Sequence, residues 1–494
     1  MSEFDLASVN SMQKRSPFHL PRQPATTQDL QILSSVGRYY SRNISEEKSL
    51  EAAQKFAEWA NSGAERTNEE QKAILKTLRE NTAIPLSTAS KKTDIWPIVP
   101  MVTSLMQIGC FTRNTGKPWN PGGFVKGMIN KGASSEKEAT RLAKDLKQKL
   151  GIEKSEDIWA AELEKHMKSM APLWGNPDTT IENESEDFKL PHEIRCRTFP
   201  ARALTEDLPH ILKIKKSLTR RQWISMLDSL LRISCATELL WVARANSEVS
   251  RMIIAATDMN SNIPSEDEIG ENLVGDGYYL TSDLPFDPQA QSQIRDYAHA
   301  RIFIREILNF LENKKASDYE AIEKDGGLCT HRGILRLIQV ARRCKTEVLS
   351  IRRNVSGSID SKPDFLNLKK AFNWPSQCWF FIDGVLRQRR PGEAEKRHFD
   401  QGYWCVKSGS AKSARWVFRP GPIGILIMAQ LAGARSGGSA TANGMVRQFS
   451  RYGIRVSLDE VTQGQIGQDL RHLGLVIDSP DAEGGMLIRN PFES

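Results

Sequence analysis

The sequence predicts a mainly α-helical, multidomain protein with a small β-hairpin region and a short helix-and-strand module at its C-terminus. Three observations predict this. Apolar residues recur at helical spacing through most of residues 29–353. At about Trp374 the texture turns aromatic and β-branched, with breakers between short runs. The chain then closes on SLDEVTQGQIGQDLRHLGLVIDSPDAEGGMLIRNPF (457–492), which reads as a capped helix, a short apolar strand, a polar turn and a second strand.

The totals set bounds on this reading. At 494 residues the chain exceeds one ordinary domain. Four segments are expected: a polar tail or arm (1–27), an N-terminal helical domain (28–205), a central helical domain (206–370), and a β-hairpin region plus terminal module (371–494). Apolar residues make up 39% and charged residues 26%, so large cores can form and wholesale disorder is excluded. Net charge is +8, a mild excess whose distribution matters more than its size. None of the 7 cysteines forms a CxxC pair, which argues against a disulfide scaffold or zinc ribbon and for free thiols. The N-terminus has acids early and no apolar run, unlike a secretory signal. The longest apolar window, 230–242, is interrupted by Arg232 and Glu238, short of the roughly 18 residues of a membrane span. A cytoplasmic protein with no membrane partner is expected.

The elements follow in order. Residues 1–27 hold Pro17, Pro21 and Pro24, as expected of an arm that folds only against a neighbour. Leu30, Ile32 and Leu33 open one helix, Ala52, Phe56, Ala57 and Trp59 mark another, and 96–108 is a third apolar stretch. FTRNTGKPWNPGGFVKGMINKG (111–132) is rich in Gly, Asn, Pro and Lys. It lacks the GxxxxGK[ST] order of a phosphate-binding loop, because Pro118 follows Lys117, and it reads as an ordered surface loop. Ser135 and Glu138 form a capping box for a helix that ends at Gly151, and another helix covers about 156–170. Residues 218–256 place Trp223, Leu227, Leu230, Leu231, Leu239 and Val242 at helical intervals, giving two helices or one long buried helix. The acidic stretch 264–287 matches no EF-hand spacing and reads as a solvated loop. Helices resume at about 290–311 and 333–353. In the hairpin region Trp404 and Val406 alternate with Cys405 and Lys407, and Trp416 and Phe418 alternate with Arg415 and Arg419.

The terminal module carries the most information. An apolar helix (423–434) follows Pro420 and Pro422. A second helix (441–452) has Met445, Val446 and Phe449 on one face and Gly453 at its end. Ser457 caps a third, with Glu460 at the capping-box position, Ile466, Leu470 and Leu473 as its buried stripe and Gly474 as its stop. LVID and MLIRN are strands joined by SPDAEGG. In this order, and through DLRHLGLVIDS followed by a hairpin, residues 420–492 resemble the winged-helix superfamily. The resemblance implies a third helix in the major groove and a wing on phosphate or the minor groove. It makes Gln463, Gln465, Gln468 and Arg471 the base-contact candidates, Gln toward adenine and Arg toward guanine. Arg447, Arg451, Arg455 and Arg489 become candidates for phosphate. Asp478, Asp481 and Glu483 in the wing oppose a phosphate backbone, and winged helices also dock proteins, so a protein-contact reading stands beside the DNA one.

Basic residues cluster in three stretches: 213–221, 332–353 and 387–419. Arg387, Arg389, Arg390, Arg415 and Arg419 are phosphate candidates, with Trp404 and Trp416 nearby for stacking. The alternative is a set of solvated faces.

Catalytic constellations are scarce. HExxH, GxSxG, the kinase set and a GxGxxG after a strand are all missing from the sequence. His398 and Asp400 form a lone HxD in a basic loop, His472 ends the third helix of the module, and Glu162, Glu164, Lys165 and His166 lie on an evident helix. No catalytic residue, metal ligand or cofactor is expected. The RRQWISMLDSLLRI and LLWVARAN runs, with GLVIDSPDAEGG, resemble uncharacterised proteins of bacterial anti-phage defence clusters. That resemblance implies a partner, an ATPase or nuclease, that supplies the chemistry. The expected function is a non-catalytic nucleic-acid-binding or scaffold subunit of a bacterial complex for defence or DNA processing. The alternatives are a scaffold whose winged helix touches only protein, and an enzyme with an unfamiliar site.

Overall fold

The computed structural model describes residues 10–19, 32, 33, 36, 69, 121–151, 161, 200–258, 260–274, 280–281, 288–361, 402–407, 416–477 and 486–492. Of these, 77% are helical, so the protein is mainly α with a small β region. The helices of the body are α1 (Ser11–Arg15), α2 (Pro121–Gly132), α3 (Glu136–Leu150), α4 (Pro200–Lys213), α5 (Arg220–Ala256), α6 (Glu266–Val274), α7 (Pro288–Lys314), α8 (Ala316–Lys324), α9 (His331–Arg343) and α10 (Lys345–Ser361). The C-terminal helices are α11 (Pro422–Ser436), α12 (Ala442–Ser450), α13 (Leu458–Thr462) and α14 (Gln465–His472). The strands are β1 (Leu280–Thr281), β2 (Tyr403–Lys407), β3 (Trp416–Pro420), β4 (Ala440–Thr441), β5 (Ile454–Arg455), β6 (Val476–Ile477) and β7 (Leu487–Ile488).

Helix α5 is the axis of the body. The sequence left one helix or two for this stretch, and it is one, 37 residues long. It starts at a reciprocal capping box. The Thr219 hydroxyl accepts from the Gln222 N–H at 3.4 Å, and Gln222 Oε1 accepts from the Thr219 N–H at 3.1 Å. Trp223, Leu227, Leu230, Leu231, Trp241 and Val242 are all buried, and α4, α7, α9 and α11 pack around the helix. A helix apolar on every side is stable only in such a position. Its polar groups find partners inside: Arg232 Nε meets Asp228 Oδ2 at 2.6 Å, Lys131 of α2 meets Glu238 at 3.4 Å, and Trp223 Nε1 donates to the Ile211 carbonyl at 2.9 Å.

The structure corrects three readings of the body. Residues 121–132 are not a surface loop but α2. Pro121 suits a first helical turn, and Val125, Met128 and Ile129 are buried at helical spacing; these outweigh the Gly and Pro content. The acidic stretch contains α6, whose start is capped by Ser265 and Glu268 and whose Ile269 and Leu273 are fully buried. Three of its four acids, Glu266, Asp267 and Glu268, lie in the first turn, where the helix dipole favours them. The single helix expected over 333–353 is two, α9 and α10, parted at Cys344.

Part of the N-terminal arm is packed on this body. Asn10 caps α1 and donates to Glu312 at 2.9 Å, while Tyr319 donates to Asn10 at 3.1 Å. Gln13 reaches the Arg301 carbonyl, Lys131 the Pro17 carbonyl and Asn246 the Phe18 carbonyl, at 2.9, 2.6 and 2.8 Å. Met12 and Phe18 are buried.

The β region is small. β2 and β3 pair antiparallel, Tyr403 opposite Pro420 and Lys407 opposite Trp416, as the alternation predicts. Gly402 precedes β2 with φ 91° and presses on α5: a Cβ there would lie 2.6 Å from that of Ser229. A three-stranded antiparallel sheet has the order β4-β7-β6, and β1 pairs parallel with β5. One continuous buried cluster runs from Met12 to Ile488 and takes in side chains from both sides of positions 205 and 370. Among the described residues no helix is long and apolar enough to cross a membrane.

Several expectations lie outside the described residues: the apolar stretch 96–108, the turn 408–413, His398, Asp400 and the wing loop with Asp478, Asp481 and Glu483. The helices expected over 29–81 and 156–170 also lie outside them, apart from single positions.

Candidate nucleic-acid interface

The C-terminal elements follow the order α11, β4, α12, α13, α14, β6, β7, with β4 and β6 both pairing with β7. Thr441 caps α12, its hydroxyl accepting from the Gly444 N–H at 3.1 Å, and Ser457 caps α13 by accepting from the Glu460 N–H at 3.1 Å. Met445, Phe449, Val461, Ile466, Leu470 and Ile488 are fully buried between these elements.

The third helix expected from Ser457 onward is broken in two. Gly464 stands between α13 and α14, where a Cβ would lie 2.2 Å from Glu460 Oε2 and 2.7 Å from the Glu460 Cα. Only a residue without a side chain lets the chain fold back this tightly. Arg471 bridges the break, donating from Nη1 to the Thr462 carbonyl at 2.9 Å.

Helix α14 has two faces. Ile466, Gly467 and Leu470 are buried, whereas Gln465, Gln468, Arg471 and His472 are exposed along the opposite side. Gln463 is exposed just before it. Gln465 Nε2 donates to Asp469 Oδ1 at 3.0 Å, so its amide is already oriented within the helix. Arg447 on α12, Arg455 on β5 and Arg489 after β7 are exposed. The structure therefore brings Gln463, Gln465, Gln468 and Arg471 to one exposed edge and leaves Arg447, Arg455 and Arg489 facing solvent.

Other candidates are engaged elsewhere. Arg451 reaches back to α4, meeting Glu206 at 2.6 Å and Asp207 at 3.6 Å, with its side chain 19% exposed. That guanidinium is neutralised inside the protein and does not face a ligand. Arg419 Nη1 lies 3.5 Å from Glu460 Oε1. Arg387, Arg389, Arg390 and Arg415 are outside the described residues.

The other two basic stretches are also partly structural. In 213–221, Lys215 is buried with Nζ 5.4 Å from the centroid of the Trp223 ring. Arg220 is buried as well and donates to the Leu150 and Gly151 carbonyls at 2.6 and 3.0 Å, closing the C-terminal end of α3. In 332–353, Arg332 and Arg336 share Asp325 at 3.2 and 2.9 Å, and Arg343 meets Asp318 at 2.7 Å.

Glu206 and Asp207 escaped the sequence reading. Asp207 interrupts an apolar stripe on α4, where Leu204, Leu208 and Ile211 are all buried. A carboxylate on such a stripe must find donors, and that was the available signal. Burial pushes the Asp207 carboxyl up from its ordinary value, and the Arg435 guanidinium opposes the shift. Burial, the Asp207 charge and the bond to it also push the Tyr452 phenol well up.

Among the described residues no group of three or more His, Cys, Asp or Glu is placed to hold a metal ion. Cys235 is buried and its thiol is pushed well above its ordinary value by burial, which suits a packing role rather than a nucleophilic one. The chain matches no family model, and no curated protein or solved structure is significantly similar to it.

Proposed function

We propose that residues 421–492 form a winged-helix module through which this protein binds nucleic acid as a non-catalytic subunit of a larger assembly. The observation that carries this reading is the exposed polar edge of α14: Gln465, Gln468 and Arg471 stand opposite the buried Ile466 and Leu470. The helix follows α11, α12 and the short α13 and precedes the paired strands β6 and β7, close to the order in which winged helices present a reading helix. Arg447, Arg455 and Arg489 supply exposed cations on neighbouring elements. A partner ATPase or nuclease would supply the chemistry.

The test is a titration of the full chain with duplex DNA at rising salt. Binding that weakens steeply between about 50 and 200 mM salt is expected, because phosphate contacts release counterions. Gln468→Ala should cost about 1–3 kcal/mol on a preferred sequence and little on others. Arg489→Ala should weaken every sequence and lower the salt slope by about one. No binding to duplex or single strand at low salt would refute the proposal.

One observation favours a second reading, in which the same module docks a protein. Four of the expected cationic and polar contacts, Gln465, Arg471, Arg451 and Arg419, already hold partners within the chain. Failure with DNA would pass the exposed edge of α14 to a protein partner.

A further inference from the structure

Five side-chain hydrogen bonds run from the C-terminal elements to two adjacent acids on α4. Asp207 Oδ2 accepts from Gln448 Nε2 at 2.6 Å and from the Tyr452 hydroxyl at 2.8 Å, and Oδ1 accepts from Arg435. Glu206 Oε2 accepts from Arg451 at 2.6 Å and from Arg435 at 3.5 Å. The Asp207 side chain is 0% exposed. Every one of these donors belongs to 435–452, at least 228 residues further along the chain.

Two further facts bear on what this cluster does. Among the C-terminal elements Met445, Phe449, Val461, Ile466 and Leu470 are buried, as one end of the continuous cluster that runs through the body. Their other links to the rest of the chain include a side-chain hydrogen bond between Tyr452 and Ser234 of α5 and the Arg419–Glu460 pair at 3.5 Å. Helix α11 packs on α4 and α5, and β5 makes a two-residue pairing with β1. A fully buried carboxylate is tolerable only while its donors are in place, whereas the Arg451 and Arg435 side chains that face it, 19% and 33% exposed, keep access to solvent. The Asp207 carboxylate is therefore stable at that depth only with Gln448, Tyr452 and Arg435 in place.

We propose that Glu206 and Asp207 are a docking latch, and that residues 421–492 part from the helical body as a folded unit when the latch fails. The proposal does not depend on what α14 binds. Asp207→Asn tests it, because the amide nitrogen becomes a donor facing donors while the side-chain shape is kept.

The measurement is hydroxyl-radical labelling of the full-length protein, read by mass spectrometry. Tyr452 reports the latch, Leu470 the core of the C-terminal unit and Trp223 the core of the body. In Asp207→Asn, labelling of Tyr452 should rise about fivefold, with Leu470 and Trp223 unchanged, as for a sub-global opening. A rise at all three sites would mean that the acids only support one cooperative core, and no rise at Tyr452 would mean that the unit is held by other contacts. Either result overturns the proposal. Should Asp207→Asn not fold, Glu206→Gln is read in the same way. It keeps the buried carboxylate and should raise Tyr452 labelling about twofold while sparing the two cores; a flat response there also overturns the latch.

Discussion

Lowering the pH should loosen the N-terminal arm through one residue, His19. Its Nδ1 is buried without a hydrogen-bond partner among the described residues. Burial, and then the charges of Arg301, Lys131 and Lys14, push its pKa down from 6.5 to about 3. A folded-state pKa below the unfolded one means that folding favours the neutral ring. The unfolded chain takes up a proton as pH falls through about 6.5, whereas the folded chain does so only near 3. The associated stability is intact above about pH 7 and is lost progressively toward pH 3. At 1.36 kcal/mol per pH unit, this amounts to about 2 kcal/mol between pH 7 and pH 5. The assay is urea unfolding of the wild type and of His19→Gln across that range. Carboxylates such as Asp207, Asp228 and Glu238, whose folded-state pKa is raised by burial, drift the opposite way but cancel in the difference. The stability difference between wild type and variant should shift by about 2 kcal/mol against the wild type from pH 7 to 5. A constant difference across the range would refute the assignment of His19 as a buried neutral ring.

Two further outcomes are expected. Leu470→Ala, at a fully buried site, should cost about 2–5 kcal/mol in thermal or urea unfolding; a cost of a few tenths would mean that the phase assigned to α14 is wrong. Asp228→Asn should cost about 3–5 kcal/mol by leaving Arg232 buried beside a neutral amide, whereas replacing both by Leu and Met should come within about 1 kcal/mol of the wild type.

Local patterns carried much of the fold. The apolar intervals of 218–256 and the punctuation of Ser457, Gly453 and Gly474 were enough to place α5 and the C-terminal elements. Alternation of Trp404, Val406, Trp416 and Phe418 was enough for the hairpin. The misses have physical causes. Residues 121–132 look like a loop by composition, yet four apolar side chains at helical spacing decide the matter once α4 and α5 are there to bury them. Gly464 sits inside a periodic run, so the break between α13 and α14 is set by the fit against Glu460 and not by the pattern. The C-terminal strands shorten to two residues each because their ends follow the sheet and not the apolar runs. At the candidate site, exposure of Gln468 followed from helix phase alone. The fate of Arg451 did not, because its partner Glu206 lies 245 residues away in sequence.

The arm bound to the body sets an order on biosynthesis. Residues 10–19 lie early in the chain, yet their partners include Asn246, Arg301, Glu312 and Tyr319. At about 5–20 residues per second, a ribosome takes roughly 15–60 s to pass from the arm to the last of these. Until the interval ends, the native surface that covers Met12 and Phe18 is incomplete. The segment must stay uncommitted while the helical body assembles around α5, and it docks only afterwards. A chaperone that shields short apolar segments near the N-terminus should therefore raise the yield of native protein more than one acting after release.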